Sequence, residues 1–277
     1  MSTAAAGSVL LVGAGRMGGV LLKGWLAGGY DPARILVQEP SPPPDIAEVI
    51  KAAGIVTGEP PAMDAPPRVI VLAVKPQMMD AALPSIAPLA GADTVVLSIA
   101  AGTSIANMAR HFGPDAAIVR AMPNTPAAIG RGITALCANP NATPEQCAEC
   151  EALLKVSGET VWVGEEGLID AVTAVSGSGP AYVFLLAECL TEAAKAAGLD
   201  ADLASRLTRA TVSGAGEMLH RSPLDPAELR RNVTSPGGTT EAALHLLMGE
   251  AGSTGPMEKL MTLAVAAALA RARELAG

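Results

Sequence analysis

The sequence predicts an α/β protein in two parts: a doubly wound, mainly parallel sheet covered by helices, then an all-helical domain. Three observations lead there. From Ser8 to about Gly164, short β-branched or Leu-rich runs alternate with helical stretches. Within that region Val69–Val74 and Thr94–Ile99 are continuously apolar, the pattern of strands buried on both faces of a parallel sheet. After Gly164 the strand signals stop and Ala and Leu at helical spacing take over. The chain therefore divides into residues 1–164 and 165–277.

Taken in order, the strands fall at Ser8–Val12, Arg34–Gln38, Arg68–Val74, Thr94–Ile99, Ala116–Met122, Ile133–Ala138 and Thr160–Val163. Ser41–Pro44 and Glu59–Pro61 read as short rigid loops. Thr143-Pro144-Glu145-Gln146 starts a helix, with a capping Thr, Pro at the first helical position and Gln three residues after the cap. Asp200, Asp225-Pro226 and Ser235-Pro236 read as further helix starts. Leu203, Leu207, Thr211, Gly214 and Met218 fall on one helical face, and Met257, Leu260, Met261, Ala264, Ala268 and Leu275 on another. These are more apolar faces than the second part can bury alone, so it should dimerise.

Composition narrows the function. Half of the 277 residues are hydrophobic and 17% are charged, which is ample material for a packed core. Aromatics are only 2%, so stacking platforms for single-stranded nucleic acid are nearly absent. A net charge of −8 gives no overall pull toward nucleic acid or anionic lipid. The opening Met1–Ser8 carries no basic region before Val9–Val12, and no apolar run reaches the ~18 residues of a membrane span, the richest candidate being Leu263–Ala270. The reading is a cytoplasmic protein with neither nucleic acid nor membrane among its partners.

Of the four cysteines, Cys147 and Cys150 have CxxC spacing, but no second pair follows. They read as two helix-surface thiols in a reducing compartment, and no metal site is expected. His111, His220 and His245 read as structural or surface residues, none beside a pairable carboxylate.

The strongest chemical signal is Gly13-Ala14-Gly15-Arg16-Met17-Gly18, directly after the first strand and directly before a helix. In this Rossmann-like setting the first Gly allows the tight turn, the second admits a pyrophosphate, and the third lets helix pack on strand. The helix N-terminus then faces the anion. Glu39 follows about 20 residues later at the end of the second strand, where a carboxylate meets a ribose diol. Three later strands end in Ala73-Val74-Lys75-Pro76, Ala100-Ala101-Gly102-Thr103 and Met122-Pro123-Asn124-Thr125. Together these form a rigid shelf at the carboxyl edge. In the helical part, Ser176–Pro180 and Ser235-Pro236-Gly237-Gly238-Thr239-Thr240 are Gly-rich. The latter bares backbone N–H groups and adds hydroxyls, a site for a small carboxylate, with plain helix capping by Ser235 as the alternative.

Gly13–Gly18, Ala73–Gln77, Arg120–Pro126, Ser176–Tyr182 and Val233–Thr240, in this order and spacing, closely resemble the pyrroline-5-carboxylate reductase family from about Val9 to Glu274. The resemblance implies a dinucleotide domain followed by a helical domain that interlocks with its copy as a dimer, and dimers that often assemble into a decamer. It implies that Val12, Gly13, Ala14, Gly15, Arg16, Met17, Ala73, Val74, Lys75, Pro76, Ala100, Ala101 and Asn232 contact NADPH or NADH. It implies that Ser235, Gly237, Gly238, Thr239 and Thr240 hold 1-pyrroline-5-carboxylate, with Glu166 as a neighbour, on the way to L-proline. Hydride transfer to a protonated cyclic imine needs positioning rather than a metal or a strong acid, and Thr240 is the residue expected to direct a hydroxyl at the imine nitrogen. A β-hydroxyacid dehydrogenase shares the two-part plan but needs a Lys one helical turn after a Gly-rich segment, and Gly177–Leu186 has none. A catalytically inert dinucleotide sensor would not need the Ser235–Thr240 loop. Glu39, with no basic residue between Arg34 and Lys51, leans the cofactor choice toward NADH.

Overall fold

Residues 8–57, 65–250 and 254–276 are described in a computed structural model. The opening Met1–Gly7 and the Glu59–Pro61 loop lie outside them. The first strands and helices alternate as β1 (Val9–Val12), α1 (Arg16–Ala27), β2 (Ile35–Gln38), α2 (Pro44–Ala53), β3 (Val56–Thr57), β4 (Val69–Leu72), α3 (Met79–Ile86), β5 (Val95–Ser98), α4 (Ile105–Phe112) and β6 (Ala117–Met122). β7 (Gly132–Ala138), α5 (Pro144–Leu154) and β8 (Gly158–Trp162) complete the sheet. Its eight strands run in the order β3-β2-β1-β4-β5-β6-β7-β8. Every pairing is parallel except β6 with β7, so the sheet is mainly parallel and doubly wound, as the buried apolar strands predict. The strand order reverses direction beside β1, which places the ligand crevice at the ends of β1 and β4. β3 escaped the sequence reading because its two exposed residues are too few to show a period.

Successive strand residues feed opposite layers. Leu11, Val37, Val71 and Leu97 pack with Leu21, Leu22 and Trp25 of α1, Ile46 and Ile50 of α2, and Leu153 and Leu154 of α5. Leu10, Val12, Ile70, Leu72 and Val96 pack with Met79, Leu83 and Ile86 of α3 and Met108 of α4. Each fully buried aliphatic side chain contributes about 1.5–3 kcal/mol. The indole N–H of Trp25 donates to the Leu153 carbonyl at 2.8 Å, tying α1 to α5. The capping box at Thr143 and Gln146 forms as the sequence predicts. Cys150 corrects it: this thiol is fully buried in the core rather than on the helix surface, because α5 turns it toward the sheet together with Leu153 and Leu154. Burial pushes both the Cys147 and Cys150 thiols up from the ordinary range.

Contacts divide the chain into a sheet unit, Met1–Gly177 with Leu269–Gly277, and a helical unit, Ser178–Ala268. The sequence reading drew its line at 164. The sheet unit runs on because α6 (Leu168–Val172) places Ile169 in a small apolar cluster with Ala135 and Cys137 of β7. A π-helical turn, Thr173–Gly177, follows it. The helical unit holds α7 (Gly179–Ala196), α8 (Ala201–Arg221), α9 (Pro226–Asn232), α10 (Thr239–Met248) and the first part of α11 (Pro256–Ala276). Asp200 and Asp225 cap α8 and α9 as expected, accepting from Leu203 and Ala227 N–H. Within the unit α7 and α8 pack together, yet α7, α9 and α10 bury no residue fully and α8 buries only Ala204 and Thr208. Leu168–Ala196 is long and apolar enough by length and composition to cross a membrane, at a mean hydropathy of 1.3. This corrects the expectation that no apolar run reaches that length, because the scattered Ser, Gly, Thr and charged residues of the stretch leave its average apolar.

Candidate active site

The glycine-rich turn has the geometry a phosphate cradle requires. Gly13 sits at φ +91°, and its N–H donates to the Gln38 carbonyl at 2.9 Å, so the turn is pinned to β2. A side chain on Gly13 would meet Ala73 and Val74 backbone at 2.9 Å, which is how the turn comes to lie against the loop after β4. A side chain on Gly18 would strike the Gly13 carbonyl oxygen, so Gly here sets the approach of α1 to β1. Gly15 differs from both. A Cβ there would meet nothing within 4 Å, and Gly15 is the N-cap of α1 with no side-chain cap and no acidic residue in the first turn. The open space over an uncapped helix start fits a pyrophosphate. A cleft of about 400 Å³ beside the turn is lined by Gly15, Arg16, Met17 and Lys23.

Glu39 is held at this turn. Its Oε2 accepts from Ala14 N–H at 3.0 Å and its Oε1 from Ser41 N–H at 3.1 Å, so the carboxylate is fixed facing the glycines rather than pointing to solvent. Val12 and Ala14 are buried beneath the turn, Ala73 and Val74 are half-buried next to it, and Lys75 and Pro76 are exposed. Ala100 is buried and Ala101 exposed at the end of β5, the neighbour of β4 in the sheet. The structure thus gathers Val12–Gly18, Glu39 and Ala73–Pro76 around one turn, with Ala100 and Ala101 at the next strand end.

Glu166 stands elsewhere in the sheet unit. Its Oε1 accepts from Arg120 Nη1 at 2.9 Å and from the Ile105 N–H at 2.8 Å, the first residue of α4. Arg120 Nη2 lies 3.4 Å from Asp170 Oδ1. Sequence reasoning gave Arg120 and Asp170 no role. The available signal was a single charge inside the otherwise uncharged strand Ala117–Met122. His111 also departs from the reading, since its Nε2 lies 3.3 Å from Asp80 Oδ1, a carboxylate brought near by the packing of α3 and α4. No group of three or more metal-ligating side chains comes together among the described residues.

The other predicted residues cluster within the helical unit. Asn232 ends α9 and is exposed. Ser235–Gly238 forms a turn closed by the Gly238 N–H to the Ser235 carbonyl at 3.0 Å, with Gly237 at φ +69°. α10 begins at Thr239 rather than at Ser235-Pro236, its N-cap is Gly238, and no side chain caps it. This removes capping by Ser235 as the reason for the segment. The Gly237 N–H is taken by Glu241 Oε2 at 2.7 Å, so a carboxylate already lies against the turn. Ser235 and Thr239 are exposed and Thr240 is half-buried. Arg230, Arg231, Thr234, Glu241 and His245 line an adjoining pocket of about 250 Å³.

Comparison with known proteins agrees with this architecture. The family described as pyrroline-5-carboxylate reductase dimerisation matches residues 166–275, and that described as NADP oxidoreductase, coenzyme F420-dependent, matches residues 8–102. A pyrroline-5-carboxylate reductase of Pseudomonas aeruginosa is 40% identical, over 97% of this chain and 96% of its own length. The solved pyrroline-5-carboxylate reductase of Coxiella burnetii superposes with a TM-score of 0.89 at 35% identity, covering 98% of this chain and 99% of that one. The NADP-bound pyrroline carboxylate reductase of Plasmodium falciparum does so at 0.78 and 26%, covering 98% of each.

Proposed function

The chain belongs to the pyrroline-5-carboxylate reductase family and reduces the C=N bond of 1-pyrroline-5-carboxylate to L-proline with a reduced nicotinamide dinucleotide, and we propose how its own residues divide that task. When bound, the nicotinamide supplies the hydride that adds to the imine carbon. The uncapped start of α1, open above Gly15, holds the pyrophosphate. Ala73–Pro76 and Ala100-Ala101 carry the rest of the dinucleotide across the sheet edge, joined by Asn232. Ser235 and the N–H groups of Thr239 and Thr240 hold the substrate carboxylate, which displaces the Glu241 carboxylate from Gly237. The Thr240 hydroxyl then faces the imine nitrogen. The observation that supports this division is the start of α10, where the N-cap Gly238 offers no side chain to cap the helix. We place the enzyme in the cytoplasm. The direct test is oxidation of NADH and NADPH with pyrroline-5-carboxylate, against a 3-hydroxy acid and a blank without substrate. Turnover with the hydroxy acid alone would overturn the reading.

Cofactor choice follows from Glu39. Two backbone N–H groups fix its carboxylate at the turn, where it accepts from a ribose diol and repels a phosphate dianion. Of the two cations lining the cleft beside the turn, Lys23 is committed to Asp45 at 2.6 Å, which leaves the exposed Arg16 to attract a phosphate there. NADP occupies the Plasmodium falciparum relative, but here NADH should be used at least as well as NADPH. Glu39→Ser should move the kcat/KM ratio toward NADPH by about tenfold, one lost unfavourable contact of about 1.4 kcal/mol. A wild type that prefers NADPH tenfold, or an unmoved ratio, would take that role from Glu39.

A further inference from the structure

Arg120 is a charge the reaction as described does not use, and its surroundings give it one. Its side chain is 4% exposed on β6, between Ser98 of β5 and Cys137 of β7 in register. Its Nη1 and Nη2 go to Glu166 and Asp170, and its Nε is buried with no partner. A buried ion pair of this kind is poor support for stability, because desolvation offsets most of the attraction. What the cluster does is geometric. One oxygen, Glu166 Oε1, receives both the guanidinium and the Ile105 N–H. Ser104 Oγ accepts from the Asn107 N–H at 3.2 Å, so the start of α4 is held by two acceptors, one of them anchored to the middle of the sheet. The other end of the same loop is held where the Ala100 N–H donates to Ser98 Oγ at 3.3 Å. Between these two anchors lie Ala100, Ala101 and Gly102, the last at φ +72°.

We propose that Arg120 is a positioning residue for the nicotinamide half of the cofactor, acting through Glu166 and the start of α4 to fix the Ala100–Gly102 loop. The adenosine half, read by Gly13–Gly18 and Glu39, is anchored by other bonds and is independent of it. The inference rests on the proposed contact of Ala100 and Ala101 with the dinucleotide, and the experiment separates the two.

Arg120→Lys keeps the charge but loses the two-pronged grip. The triple variant Arg120→Met, Glu166→Gln, Asp170→Asn removes the charges together, so that no carboxylate is left buried without its partner. Binding of NADH and of ADP-ribose, which lacks the nicotinamide, is measured for each in the assembled enzyme, alongside kcat and KM. In both variants NADH affinity should fall roughly tenfold to a hundredfold, the range a misplaced contact surface produces, while ADP-ribose stays within about twofold. Equal losses for the two ligands, or no loss for either in a variant with unchanged circular dichroism, would overturn the proposal. Ala101→Leu serves as the reference. If it leaves NADH binding intact, the contact of the loop with the dinucleotide is what fails; if it weakens NADH and Arg120→Lys does not, only the role of Arg120 does.

Discussion

At the scale of single residues, the types and places of the chemistry were legible, but side-chain direction was not. Gly13, Gly15 and Gly18 could be assigned separate tasks from spacing alone, and their surroundings do differ, crowded at Gly13 and Gly18 and open at Gly15. Glu39 could be placed at a strand end, but only the fold shows its two bonds to Ala14 and Ser41 N–H. Cys150 and Arg120 show the converse, since their burial depends on which face of α5 and β6 meets the sheet, a tertiary fact. For the proposed chemistry the decisive residue is Thr240. Thr240→Ala should lower kcat by roughly 10- to 1000-fold, the effect of one positioned hydrogen bond, while cofactor affinity stays near wild type. Ser235→Ala should chiefly raise KM for the imine acid. Steady-state kinetics on both variants checks this, and turnover within twofold for Thr240→Ala would end the hydroxyl's role.

At the scale of elements, β1, β4 and β5 were readable because a strand buried in a parallel sheet is a run of β-branched and Leu residues that no helix period explains, whereas the exposed edge strand β8 was readable only from the β-branched Thr160, Val161 and Val163. The start of α10 was misplaced because Ser-Pro followed by two glycines also makes a turn, and Gly237 takes the left-handed conformation that ends in one. The strand–turn–helix unit β1–α1 allows a paired test of how an element is built. Gly18→Ala sets a methyl against the Gly13 carbonyl and 3.1 Å from the Ala73 Cβ, so α1 must shift from β1. It should cost about 1–3 kcal/mol of stability and weaken dinucleotide binding together. Gly15→Ala meets no protein atom within 4 Å and has φ −69°, so it should leave the melting temperature nearly unchanged and weaken only the dinucleotide. Thermal unfolding with and without NADH reads both. Equal melting temperatures for the two variants would show that Gly18 does not set the helix approach.

At the scale of the whole molecule, the apolar stripes of α8 and α11 stay largely exposed among the described residues. Leu207 is 48% exposed, Met218 54% and Leu260 63%, and beyond the stripes Leu246 on α10 is 77% and Phe184 on α7 62% exposed. A soluble helix does not leave such a surface to water. The membrane-length apolar stretch Leu168–Ala196 lies wholly inside the segment matched to the dimerisation family, so a second copy is the partner expected to cover its exposed side chains. The chain self-associates through this unit, and the interface should be large and apolar, above roughly 2,000 Å² in total. Two consequences follow from a unit whose core forms only between copies. Light scattering at micromolar concentration should give no monomer, and it distinguishes a dimer from the decamer expected of the family. The melting temperature should also rise with protein concentration, because association stabilises only the folded chain. Phe184→Asp and Leu246→Asp place a carboxylate on that surface and should lower the melting temperature and shift the mass toward monomer, with the sheet unit's ADP-ribose binding retained. A wild type that is monomeric and keeps its full native helix content by circular dichroism would mean that the helical unit supports itself, and the stripes would then need another explanation.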